Sequence, residues 1–113
     1  MVTYIPKQRD VVWLDFDPQQ GKDIKKRRPA IVISPYEYNL KTSLALFMPI
    51  TSKIKGYPFE VLFSIKTLDG AILSDQILSL DWRARQATFI CQIPEIVFLE
   101  TLSKFSTLLS INN

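Results

Sequence analysis

The chain has no histidine and a single cysteine among its 113 residues, and these scarcities exclude several kinds of active site. Without histidine there is no serine–histidine or cysteine–histidine pair and no histidine-ligated metal. One cysteine cannot form a disulfide within the chain. Cys91 lies in an apolar run, so it is interpreted as a small core residue rather than a nucleophile. Any catalysis must therefore use other residue types.

Long apolar runs are also missing, because no stretch approaches the ~20 residues of a membrane span. The N-terminal residues lack the apolar core of a signal peptide. We therefore expect a cytoplasmic protein without membrane contact, in agreement with the unpaired cysteine. The length and the composition, 47% hydrophobic and 22% charged, predict one globular domain over residues 1–113.

Positive charge is concentrated in one short segment. The chain has 14 Lys and Arg against 11 Asp and Glu, a net charge of +3, and residues 22–28 alone hold five basic residues and one acid. Such an excess permits nucleic-acid binding without requiring it. The loop 18–27 is about ten residues long, more than most hairpin loops have, and loops of that length are typically functional or mobile.

Short apolar segments separated by turn residues predict strands over the first three-quarters of the chain. Residues 94–109 instead place Phe98, Leu102, Phe105 and Leu109 at helical spacing. Several strands and one covering helix indicate a mainly β (α+β) fold with a small, strongly bent sheet or barrel. The predicted strands are residues 10–17, 29–34, 44–50, 59–64, 71–73, 76–80 and 87–92.

Two of these strands bring distant segments together. If the second and third strands pair antiparallel through the link 35–42, Arg28 at the start of one lies beside Thr51 at the end of the other. The segment 51–57, with its hydroxyls, two lysines and a tyrosine, then flanks the same edge as the basic loop. The connectivity therefore predicts a basic cleft.

A cleft of this kind suits a phosphodiester. A guanidinium matches phosphate oxygens, and a threonine hydroxyl can donate a further hydrogen bond. Because chemistry at phosphorus depends on positioning and charge stabilisation, Arg28 and Thr51 can promote attack of an RNA 2′-hydroxyl on the adjacent phosphate. Asp23 is the nearby carboxylate that can take the proton. The alternative is that the basic loop is an ordinary solvated face.

Other conspicuous residues have plainer interpretations. Trp13 and Trp82 are expected in the core or in an interface rather than as stacking platforms for bases. Asp15 and Asp17 lie two apart on a predicted strand, hence on one face, where they can repel nucleic acid or hold the basic loop.

Several segments of the chain form an ordered pattern, from Asp-Val-Val-Trp-Leu-Asp-Phe-Asp-Pro at 10–18 to Trp-Arg-Ala-Arg at 82–85. Between them lie Gly21 and the segments 28–35, 38–39, 49–51, 55–61 and 75–76. In order and spacing this pattern resembles the MazF/PemK family of toxin endoribonucleases over nearly the whole chain. The resemblance implies an SH3-like, plasmid-toxin type barrel with helices.

The resemblance also implies a function and partners. It implies a homodimeric toxin of a type II toxin-antitoxin system that cuts single-stranded mRNA at short specific sequences. The cut would need no metal or other cofactor and would leave a 2′,3′-cyclic phosphate and a 5′-hydroxyl. A MazE-like antitoxin would inhibit it by laying an acidic, disordered tail in the RNA groove.

The resemblance assigns roles to individual residues. Arg28 and Thr51 match the family's catalytic arginine and threonine, and Asp23 falls where close relatives carry a glutamate implicated in catalysis. Arg27 falls where they have histidine, and an arginine cannot shuttle a proton near neutral pH. The residues expected to contact RNA are Lys25, Lys26, Arg27, Asn39, Ser52, Lys53, Lys55, Gln76 and Arg85.

Two other functions stay open. A gyrase poison of the CcdB type shares the fold but relies on a Trp-Gly-Ile-like end, whereas this chain ends Ser-Ile-Asn-Asn. A degenerate family member would bind RNA or antitoxin without cutting, and the presence of Arg28 and Thr51 argues against that.

Overall fold

The computed structural model describes residues 3–16 and 27–111, which form seven strands and two helices. No helix in these two ranges is long and apolar enough to cross a bilayer. A short 3₁₀ turn, Thr107–Leu109, follows the second helix. The elements are β1 (Asp10–Asp15), β2 (Arg27–Val32), α1 (Tyr36–Thr42), β3 (Leu44–Thr51), β4 (Glu60–Ile65), β5 (Leu68–Leu73), β6 (Leu78–Asp81), β7 (Thr88–Gln92) and α2 (Glu95–Ser106).

The strands form one antiparallel sheet in the order β4-β5-β3-β2-β1-β7, with β6 also paired to β3. The long strand β3 shares one edge between two partners. Its first half pairs with β6 from Leu44 to Phe47, and its end pairs with β5 at Ile50 and Thr51. A strand that changes partner in this way bends the sheet, so the architecture is a mainly β half-barrel with a C-terminal helix, as predicted.

Both faces of the central strands are buried. In β2, Ile31 packs into one apolar cluster while Ala30 and Val32 pack into the other. The two clusters therefore lie on opposite faces of the sheet, because successive side chains of a strand point to opposite sides. Phe98 of α2 packs into the cluster that holds Ile31. The strand β3 is covered on both faces too, since its neighbouring residues Phe47 and Met48 are both fully buried.

The helix α1 was not predicted, because residues 35–42 were interpreted as a plain connection. The helix has only seven residues, and a segment of two turns is too short for a 3.6-residue apolar period. Asn39 is its one buried residue. The chain leaves the helix at Ser43, whose φ is 60°, in the left-handed region.

Asn39 serves the fold, and the structure contradicts the prediction that it contacts RNA. It is fully buried. Its Oδ1 accepts a hydrogen bond from Ser34 Oγ at 2.5 Å, and its Nδ2 donates to the Pro6 carbonyl at 2.9 Å. Its backbone carbonyl accepts a bond from the indole of Trp82 at 2.9 Å. A residue with these partners has no surface to offer a ligand.

Replacing Asn39 with alanine should destabilise the protein. The change leaves the Pro6 carbonyl without the Asn39 donor and the Ser34 hydroxyl hydrogen without its acceptor, which costs about 2–4 kcal/mol in free energy of unfolding. Urea denaturation measures the loss, with Glu37→Ala on the exposed side of the same helix as the control. An Asn39→Ala protein as stable as the parent would contradict this role.

Candidate RNA-binding cleft

The pairing of β2 with β3 brings Arg28 and Thr51 together, as the connectivity predicted. The last pair of the register joins Ala30 to Pro49, and the same register continued by two residues along each strand brings Arg28 level with Thr51. Both residues line one cleft of about 750 Å³. The other lining residues are Trp13, Phe16, Pro29, Pro49, Ile50, Ser52, Lys53, Leu68, Asp69, Leu73, Gln76 and Leu78.

The backbone of Thr51 is held from the side opposite Arg28. Thr51 pairs with Ala71 of β5, and a Cβ at the neighbouring Gly70 would lie 2.6 Å from the Thr51 carbonyl oxygen. Only glycine permits so close an approach of β5. The Thr51 hydroxyl oxygen accepts a bond from the Lys53 amide at 3.1 Å, and its own hydrogen can still be donated to a ligand.

The cleft combines positive charge with apolar walls. Arg28, Ser52 and Lys53 are exposed at its rim. Asp69 is an acid in the same lining, and its Oδ1 accepts a hydrogen bond from Ser64 Oγ at 2.7 Å. Cationic side chains beside apolar surface suit the phosphates and bases of a single strand.

Trp13 forms part of this apolar wall. Of the two positions expected for it, core or interface, the structure excludes the core. Its side chain is 40% exposed, although it stands on a central strand. Trp82 is 2% exposed, as expected of a core residue. The immediate neighbours suggest the opposite burial, because Trp13 stands between Val12 and Leu14 whereas Trp82 stands between Asp81 and Arg83.

A side pocket of about 470 Å³ adjoins the cleft and shares Thr51, Lys53 and Gln76 with it. Lys55 and Tyr57 complete its polar lining together with Glu60. The Tyr57 hydroxyl donates a hydrogen bond to Asp75 Oδ2 at 2.6 Å. This bond raises the pKa of the Tyr57 hydroxyl above its usual value.

Two predicted RNA contacts, Arg27 and Arg85, bind the chain itself. Arg27 pairs with Asp15 at 2.8 Å and also donates to the Thr88 hydroxyl and the Gln86 carbonyl. Arg85 donates to the Phe16 carbonyl at 2.8 Å. Neither belongs to the lining of the cleft. Their guanidinium groups instead bind Asp15 and Phe16, which precede the basic loop, and Asp15 pairs with Arg27 at its end. Asp17, the other acid expected to repel nucleic acid or hold this loop, lies outside the described residues.

Some of the remaining predicted residues line the cleft, and the others lie outside the described part of the chain. Ser52, Lys53, Lys55 and Gln76 line the cleft or its side pocket. Asp23, Lys25 and Lys26 lie outside the described residues. Glu60 was missed by the sequence reasoning, because a glutamate at the start of a strand gives no signal of the loop that it organises.

Comparison with known proteins identifies the family. A family model described as PemK-like, MazF-like toxin of type II toxin-antitoxin system matches residues 7–109. The chain belongs to this family. Membership makes it an endoribonuclease toxin, since the curated relatives that it matches are endoribonucleases. The fold agrees, as the solved structures below are MazF proteins.

Three relatives illustrate the similarity. The toxin is 49% identical over 85 residues to the endoribonuclease toxin MazF of Escherichia coli (strain K12), which covers 75% of this chain and 77% of that protein. A crystal structure of MazF from Deinococcus radiodurans has 42% identity and a TM-score of 0.86, covering 96% of this chain and 100% of that one. A MazE-MazF structure from the same organism has 39% identity and a TM-score of 0.86, covering 97% and 100%.

A single strand bound in the cleft should change the fluorescence of Trp13. We expect quenching or a shift of the indole emission when a 2′-O-methyl RNA pool binds, because the exposed ring then contacts bases. The Trp13→Phe variant keeps Trp82 as an internal control, since that indole is buried and bonded to Asn39. A response that persists in Trp13→Phe would place the binding site elsewhere.

Proposed function

We propose that this toxin cuts single-stranded RNA in the cleft by attack of a 2′-hydroxyl on the neighbouring phosphate, with Arg28 and Thr51 as the catalytic pair. The new O2′–P bond replaces the P–O5′ bond, so the products carry a 2′,3′-cyclic phosphate and a 5′-hydroxyl. The observation that carries the proposal is the register of β2 and β3, which sets the two side chains at one edge of the sheet.

Each member of the pair has a chemical task. The Arg28 guanidinium can donate two parallel hydrogen bonds to the non-bridging oxygens of the phosphate, where negative charge grows in the transition state. The Thr51 hydroxyl can donate a further hydrogen bond, and the Thr51 backbone is held in place by pairing with β5. Arg28 and Thr51 together therefore supply positioning and charge stabilisation, which are the main requirements of chemistry at phosphorus.

Proton transfer needs a third group. The 2′-hydroxyl must lose a proton as it attacks, and the departing 5′ oxygen must gain one. A guanidinium is always charged at neutral pH and cannot take the first proton. Asp23 is proposed for that task from the sequence alone, since it is the carboxylate in the basic loop nearest to Arg28. Water can protonate the leaving oxygen.

The proposal extends to partners. MazE and MazF occur together in the related crystal structures. We propose that a MazE-like antitoxin inhibits this toxin in the cytoplasm by placing acidic residues on the cationic rim formed by Arg28 and Lys53. We also propose that residues 1–113 act as one domain in a homodimer. The exposed Ile96 and Leu99 of α2 support burial against a second copy.

Substitution of the catalytic pair tests the proposal. A mixed single-stranded RNA pool is incubated with the protein in EDTA, and the 5′-hydroxyl ends are sequenced. We expect cuts at one short motif, slowed by about 10²-fold or more in Arg28→Ala and in Thr51→Ala, because each loses a donor to the phosphate. Thr51→Ser should recover much of the rate, since it keeps the hydroxyl.

The matched control is Arg83→Ala, which removes the same charge from an exposed guanidinium 5.1 Å above the Trp82 ring. It should cut at the parental rate. Cleavage that requires added metal, or that persists in Arg28→Ala, would overturn the mechanism. A substrate with hydrogen in place of the 2′-hydroxyl should not be cut.

A further inference from the structure

The loop between β3 and β4 is organised by one carboxylate. Glu60, the first residue of β4, is 7% exposed. Its Oε2 accepts a hydrogen bond from the Lys55 amide at 3.1 Å, and its Oε1 accepts bonds from the amides of Gly56 at 3.0 Å and Tyr57 at 3.2 Å. Three consecutive peptide groups therefore point at a single side chain.

The local backbone depends on this arrangement. Gly56 has a φ of 78°, which lets the chain turn so that its neighbours face the same carboxylate. The Glu60 amide donates back to the Tyr57 carbonyl at 3.0 Å and closes the turn. These residues lie outside the strands, so the amides of 55–57 have no partner in the sheet ladder. Hydrogen bonds to a charged acceptor are about twice as strong as neutral ones, so Glu60 largely determines the loop conformation.

The loop held by Glu60 forms one wall of the side pocket. Lys53, Lys55 and Tyr57 contribute side chains to it, and Thr51 and Gln76 form the side toward the cleft. The Tyr57 ring is fixed separately, because its hydroxyl donates to Asp75, the residue beside Gln76. Glu60 thus positions the backbone of this wall, and Asp75 positions its aromatic ring.

We propose that Glu60 is a positioning residue that sets substrate binding and sequence choice. It holds the backbone of Lys55, Gly56 and Tyr57 so that the side pocket can take the nucleotide next to the cleaved phosphate. This inference rests on the proposed function, since the pocket shares Thr51 with the cleft. The carboxylate acts through the loop, because both of its oxygens accept bonds from loop amides.

The direction in which RNA affinity changes in Glu60→Gln distinguishes a positioning role of Glu60 from a purely electrostatic one. Glu60→Gln removes a negative charge beside the cleft, so a purely electrostatic role predicts tighter binding of RNA. Positioning predicts weaker binding. The amide of glutamine can accept bonds through its oxygen only, and its NH₂ group would face a loop N–H that also needs an acceptor.

The test therefore measures loop order, binding and turnover in Glu60→Gln. We expect amide hydrogen exchange at Lys55, Gly56 and Tyr57 to become about tenfold faster, with the β2 and β3 amides unchanged. For a short RNA with the preferred motif, KM should rise about tenfold or more while kcat changes little, because misplaced contacts weaken binding. Glu37→Gln is the control, since it makes the same charge change on an exposed helix residue.

A second variant keeps the inference testable if Glu60→Gln fails to fold. Tyr57→Phe leaves all three bonds to Glu60 in place and removes the bond to Asp75. It should relax the motif found by sequencing the cut ends, without faster exchange at Lys55 and Gly56. An unaltered motif would show that the loop 55–57 does not contribute to the choice of RNA sequence.

Three results would overturn the role of Glu60. These are unchanged amide exchange in Glu60→Gln, tighter RNA binding, and a fall in kcat at constant KM with loss of one limb of the pH profile. The last result would make Glu60 the proton acceptor instead. If the parent protein does not cut RNA, the proposed function fails, whereas loop exchange and affinity for 2′-O-methyl RNA still decide whether Glu60 positions the pocket.

Discussion

The antiparallel pairing of β2 with β3 is the constraint on which the rest of the molecule depends. It buries both faces of the central sheet, because Ala30 and Ile31 belong to different apolar clusters. The same register also brings Arg28 and Thr51 together, because both lie just beyond the last pair of β2 and β3, at one end of the sheet. A slip of one residue would turn the side chains of β2 to the opposite faces and would also separate the pair. The same strand register therefore determines both the packing of the core and the geometry of the site.

Apolar patterning predicted the sheet well because burial on two faces leaves clear runs, as in residues 44–50. It also found α2, whose twelve residues are long enough to repeat a helical period. It missed α1, which has a single buried residue. The strand starts at 68 and 78 differ from the predicted 71 and 76, since pairing partners set strand ends and propensity does not.

The site was predictable where topology alone decides position, as for Arg28 and Thr51. It was not predictable where a polar side chain can either bind a ligand or form hydrogen bonds within the protein. Arg27 and Arg28 are neighbours of identical chemistry, yet one is paired with Asp15 and the other lines the cleft. Because side chains alternate along a strand, Arg27 and Arg28 point to opposite faces of the sheet. Only their contacts in the structure show which of the two faces the cleft. Asn39 was misassigned for the same reason.

The scarcity of glycine has a consequence for how this chain can vary. The described residues hold two of its three glycines, Gly56 and Gly70. Position 70 needs a residue without a side chain, since a Cβ there would lie 2.6 Å from the Thr51 carbonyl oxygen. Gly56 has open space around it and is needed for backbone handedness. A larger residue at Gly70 would displace Thr51, and one at Gly56 would reshape the loop of the side pocket, so two residues without a side chain limit how the lining of the cleft can vary.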